Sequence, residues 1–137
     1  MKRLIWIDYD VYPGHSTMLV IGWTPKEIID WIHKKTSRRD DPLNEEELRG
    51  INSIRNQSGK SLMLKNGETI LWLPGIPDTP YRMGILAHEA WHITDFILHR
   101  IGMEYIPDKS DEAFTYMLAH IVQTALIKLK VKITWQK

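Results

Sequence analysis

The sequence predicts an α+β fold in one domain, 1–137: a small twisted sheet, a helix packed on it, and two long helices. Three observations carry this expectation. Short runs rich in Ile, Val, Leu and Trp alternate with turn residues in the first half of the chain. Two proline-free stretches in the second half repeat apolar residues at helical spacing. A length of 137 residues supports one core but not two.

Residues 3–12 and 16–22 read as a strand pair, with Pro13-Gly14 as the turn between them. Thr24-Pro25 signals a helix start, and Ile28, Ile29, Trp31 and Ile32 continue the pattern to about Lys35. The polar stretch 37–42 has no periodicity. The acidic run Glu45 to Glu47 then suggests a short exposed helix, with a solvated start, reaching about Asn56. Asn66-Gly67 between two apolar runs predicts a hairpin with strands near 61–65 and 68–73. Pro74, Pro77 and Pro80 form a rigid connection to a helix over 81–101, stopped at Gly102. A second long helix runs from Asp111, with Ser110 as its cap, to about Leu129. The tail from Val131 reads as a short strand or a packed extension.

Composition narrows the function. Hydrophobic residues make up 43% and charged ones 26%, which matches a folded globular chain. Eighteen basic and 17 acidic side chains leave a net charge of +1, so no strong field favours nucleic acid or a membrane surface. Cysteine is absent, which removes disulfides and thiolate metal sites and fits a reducing cytoplasm. Asp8 and Asp10 interrupt the apolar N-terminal run, so it reads as mature sequence and not as a signal peptide. No stretch approaches the roughly 20 apolar residues of a membrane-spanning helix, and the expectation is a soluble protein.

Residues 88–92 read His-Glu-Ala-Trp-His within the first long helix. Four residues rotate a helix by about 400°, so His88 and His92 project from one face and can meet a single zinc ion. Glu89 stands about 100° from His88, beside the ligands, where a carboxylate can act as general base on a zinc-activated water. From 6 histidines and 8 glutamates in this chain, about 0.015 accidental matches to the pattern are expected. The alternative is an amphipathic helix with histidines at its polar edge.

A catalytic zinc takes three protein ligands and an open position. Glu112, 20 positions beyond His92 at the start of the next long helix, is the candidate third ligand, since a turn at Gly102 can bring the helices side by side. Tyr116 lies on the same face, and its phenol is a candidate to polarise a substrate carbonyl. His120 is a candidate oxyanion stabiliser or an ordinary half-buried histidine.

The motif His88-Glu89-x-x-His92, the interval, and Asp111-Glu112-Ala113-Phe114-Thr115-Tyr116 together resemble the gluzincin metallopeptidases. The likeness extends to small phage-encoded metallopeptidases and covers about residues 60–130. It implies a minimal zincin-like domain, one zinc ion on His88, His92 and Glu112, Glu89 as base, and a peptide or protein as substrate, with the host cytoplasm as the location of a phage-encoded enzyme. Gluzincins also pair an extended substrate with an edge strand, a role expected here for 68–73. Tyr116 stands where thermolysin-like enzymes carry an aspartate that orients a histidine. Asp95, within about 60° of His92, is the substitute, or else a surface carboxylate.

His99 lies about 16 Å along the helix from His88, too far to share an ion. The metzincin pattern fails at Asp95 and Leu98. His15 and His33 have no partners in the sequence and read as structural or exposed, and Trp91 reads as a packing residue. Two rivals stand beside the peptidase: a non-proteolytic zinc hydrolase or zinc-stabilised interaction domain, and a metal-free interaction domain.

Overall fold

In the computed structural model, residues 2–12, 14–35 and 40–135 are described; Pro13, part of the 37–42 stretch and the last two residues of the tail lie outside them. Strands β1 (Arg3–Asp8) and β2 (Ser16–Ile21) lead into helix α1 (Pro25–Lys35). Helix α2 (Glu45–Asn52), extended by a 3₁₀ turn at Ser53–Asn56, precedes β3 (Lys60–Met63) and β4 (Thr69–Leu73). Helices α3 (Pro80–Arg100) and α4 (Asp111–Lys128) complete the chain. The result is a mixed α+β domain with a four-stranded sheet and four α-helices among the described residues.

The sheet order is β1-β2-β4-β3. The outer pairs are antiparallel, as their short connections require, while β2 and β4 pair in parallel with Leu19 opposite Leu71. Successive side chains on a strand point to opposite faces, and both faces are covered. Met18, Val20, Ile70 and Trp72 pack with Ile28 and Ile32 of α1 and with Ile51 and Ile54 beyond the loop. Leu19, Ile21, Leu71 and Leu73 pack with Leu86, Ile93 and Ile97 of α3 and Phe114, Met117 and Ile121 of α4. The expected sheet, packed helix and two long helices are thus arranged in three layers, with α2 joining α1 on one face of the sheet and α3 and α4 on the other.

This layering corrects two expectations. Glu47 is buried: its carboxylate closes a capping box with Asn44 and also accepts from the backbone N–H of Lys65 at 3.0 Å, so α2 is tied to the β3–β4 turn. Strand β4 has neighbours on both sides, so it offers no free edge to a substrate; the outer strand on that side is β3.

Local signals explain most boundaries. Thr24 and Glu27 cap each other's backbone N–H groups at α1, where Lys2 also holds the Glu27 carboxyl down to about 2. Thr79 caps α3 through the N–H of Arg82, with Pro80 in the first turn. Gly67 turns the hairpin at φ 92°, and the Arg100 guanidinium lies where a Cβ would stand. Ser110 precedes α4 but does not cap it: its hydroxyl accepts from Ile106 N–H and donates to the Glu104 carbonyl, closing the α3–α4 loop. Residues 131–135 of the tail form no strand; they run as an extension whose Thr134 N–H reaches the Asp78 carbonyl. No helix among the described residues is long and apolar enough to cross a membrane.

Tyr9 follows β1, and its buried hydroxyl lies 2.6 Å from the Thr17 hydroxyl, which in turn lies 2.8 Å from that of Thr69. Burial pushes the phenol's pKa up, against a smaller downward pull from the Thr17 hydrogen bond. An acid whose folded pKa is raised contributes stability below its unfolded value, near 10, and loses it as pH climbs. The unfolding midpoint should therefore fall between about pH 9.5 and 11.5 more steeply in the wild type than in Tyr9→Phe. Parallel curves would remove Tyr9 as the cause.

Candidate metal centre

Helix α3 uses its faces for different purposes. Leu86, Ala90, Ile93 and Ile97 recur at helical spacing and are buried against the sheet. Trp91 turns toward α4, where its ring lies 5.8 Å from that of Phe114. His88 and His92 are left on the solvent side. Glu89 falls between the apolar and solvent faces, on the side of β3, and is only 6% exposed.

The packed environment gives Glu89 a fixed seat. The Ser61 hydroxyl, on β3, lies 2.8 Å from the Glu89 carbonyl and 3.0 Å from its carboxylate Oε1. One hydroxyl proton serves one of these acceptors at a time, or both weakly. Gly59 supplies the space: a Cβ there would stand 2.7 Å from Ile85 Cγ2 and 3.0 Å from Glu89 Cγ. Neither Ser61 nor Gly59 was legible as a site residue, because the contact joins positions 28 apart through a strand and a helix that only packing brings together.

Ligand atoms of His88, Glu89 and His92 lie within 4.8 Å of one another. The two imidazole Nε2 atoms are 3.2 Å apart, with ring planes at 75°. Two facing nitrogen lone pairs at this distance repel unless a proton or a cation lies between them. Two Zn–N bonds of about 2.0–2.1 Å at a tetrahedral angle separate their nitrogens by about 3.3 Å. The pair thus fits zinc in both donor type and spacing.

The other predicted residues lie elsewhere. Glu112 is exposed on the first turn of α4, and its carboxylate is outside the 4.8 Å group. It lines a groove between α4 and the end of β1, together with Tyr116 and His120. Tyr116 is 70% exposed. His120 is committed: its Nε2 bonds to the Asp8 carbonyl at 2.8 Å and its ring packs on Tyr9. Asp95 is exposed and makes no hydrogen bond with the described residues, so it does not orient His92. His33 is half-buried, and its buried Nε2 has no hydrogen-bond partner among the described residues.

Comparison with protein-family models, with curated proteins and with solved structures gives no match.

The close seat of Glu89 makes Gly59 sensitive. Gly59→Ala should cost about 1–3 kcal/mol through overpacking against Ile85 and Glu89. Chemical denaturation reads this directly, and an unchanged midpoint would mean that the loop before β3 yields freely.

Proposed function

We propose that this protein is a zinc-dependent hydrolase of peptide or similar amide bonds, with His88 and His92 as ligands and Glu89 as general base. One observation carries the reading: two imidazole nitrogens face each other at 3.2 Å beside a buried, anchored carboxylate. An ordinary polar helix edge has no reason to bury the glutamate next to exposed histidines.

Zinc held there would supply a polarised substrate carbonyl and a water with its pKa lowered to about 7. Glu89 takes the proton of the attacking water and delivers it to the leaving amine. Ser61 keeps that carboxylate in one orientation, so little rotational freedom is lost at the moment of transfer. The outer edge of β3, which carries Ser61, suits an extended peptide laid alongside the pair.

Glu112 enters as third ligand through the gluzincin resemblance alone. Its exposed carboxylate hydrogen-bonds to no described residue, so turning it from the groove breaks no interaction. The tilted packing of Trp91 on Phe114 keeps the first turn of α4 alongside the histidine-bearing turn of α3. Tyr116 and His120 have no part in this reading.

Protein purified without chelator should contain one zinc per chain, and His88→Ala or His92→Ala should abolish it in metal analysis. A wild-type preparation without stoichiometric zinc would sink the proposal. Glu89→Gln should bind zinc as well as wild type yet lose hydrolysis of a mixed peptide substrate by about 10²-fold or more. Glu112→Ala should weaken zinc binding by about tenfold or more in a competition titration. An unchanged affinity would leave the histidine pair without this ligand and remove the gluzincin arrangement.

A further inference from the structure

The groove beside β1 is a second concave feature, on the opposite margin of the α3–α4 layer from Ser61 and Glu89. It encloses about 410 Å³. Its floor includes the buried ring of Tyr9 and the ring of His120, which pack on each other at 5.6 Å. Tyr12 and Asp10 line it from the β1–β2 turn, and Tyr116 and Glu112 from α4.

From this lining we infer that the groove binds the basic side chain, arginine or lysine, of a peptide or protein partner. The rings of Tyr12 and Tyr116 offer the negative faces that attract an ammonium or guanidinium and the apolar surface that covers its aliphatic stem. Asp10 and Glu112 add a carboxylate on each wall, and neither carboxylate forms a hydrogen bond or an ion pair with any described residue. No lysine or arginine lines the groove, so nothing within the chain supplies the cation. Folding also leaves Tyr116 at 70% and Val11 at 66% exposed on this one feature, although both could be covered by a partner.

Other occupants fit less well. Phosphate and anionic lipid are repelled by both walls. A metal ion lacks a donor set, since no group of three close ligands occurs here among the described residues. A neutral apolar side chain would desolvate two carboxylates without return. The open shape suits a side chain carried on a longer chain better than a free small molecule.

The inference shares only Glu112 with the zinc reading, and Asp10 is the carboxylate that the metal proposal leaves untouched. The test uses the full-length Glu89→Gln variant with chelator present, so that no probe is hydrolysed and no zinc is bound. Nα-acetyl-arginine amide is titrated by ¹H–¹⁵N NMR, with the citrulline amide as its neutral isostere. Arginine should shift signals of residues 9–12 and 112–120 with a Kd on the order of millimolar. Citrulline should bind at least about fivefold more weakly, as should arginine to Asp10→Asn or Tyr116→Ala, with unfolding midpoints unchanged. Equal binding of citrulline, shifts confined to other surfaces, or no shifts at all would each overturn the inference. Loss of zinc binding in the earlier experiments would leave these results unaffected.

Discussion

The parallel pairing of β2 with β4 is the constraint on which the rest of the molecule depends. It places two strands, TMLVI and TILWL, apolar but for their leading threonines, side by side in the middle of the sheet. Strands of this kind alternate large hydrophobic residues to both faces, so neither face can meet water. Each must be covered, and the chain does so by sending α1 and α2 to one side and α3 and α4 to the other. A one-residue slip of β4 would exchange Leu71 and Leu73 with Ile70 and Trp72 and disrupt both layers at once. Register is therefore held from two directions, and so is the place of α3 above β3 and β4.

That placement explains the burial of Glu89. A helix lying on a sheet hides one stripe, and residues at its borders become buried only where a neighbouring strand rises to meet them. Strand β3 does so through Ser61, and Gly59 lets the preceding loop approach closely. His88 and His92 sit one step further round, where nothing covers them. The contrast between an anchored carboxylate and two exposed imidazoles follows from where the stripe ends.

Much of this was legible in the sequence where the signal is local. The spacing of His88 and His92, the Thr24 and Thr79 caps, Asn66-Gly67 and Gly102 are each set by interactions within a few residues, and the elements they delimit stand within a residue or two of expectation. Non-local features were not legible. The parallel β2–β4 pair joins segments about fifty residues apart, and β4, read as an edge, lies inside the sheet. Glu47 looked like one member of a solvated acidic run, yet a second bond to Lys65 N–H draws it inside. Glu112 shows the limit most clearly: its interval from His92 fits a ligand, but an interval does not specify the direction in which a side chain points when two helices pack.

The two margins of the sheet are finished differently, and the difference bears on function. An outer strand exposes carbonyls and N–H groups that invite another strand. On β1, Lys128 donates to the Trp6 carbonyl and His120 bonds to the Asp8 carbonyl, so side chains of α4 occupy the edge. No comparable side-chain bond from α3 or α4 covers the outer edge of β3 among the described residues, apart from the inward Ser61 contact. His120 therefore closes one edge, which leaves pairing to the strand beside the histidine pair. The same closure fixes His120 as part of a groove floor, because an imidazole bound to Asp8 by one nitrogen and packed on Tyr9 presents its ring to whatever enters between Tyr12 and Tyr116. Residues that the spacing grouped around one ion thus divide between two margins of one helical layer, with Glu112 on the groove side. Should zinc draw Glu112 across, the groove would lose one of its two carboxylates, and by linkage a cation held there would weaken the metal to the same degree.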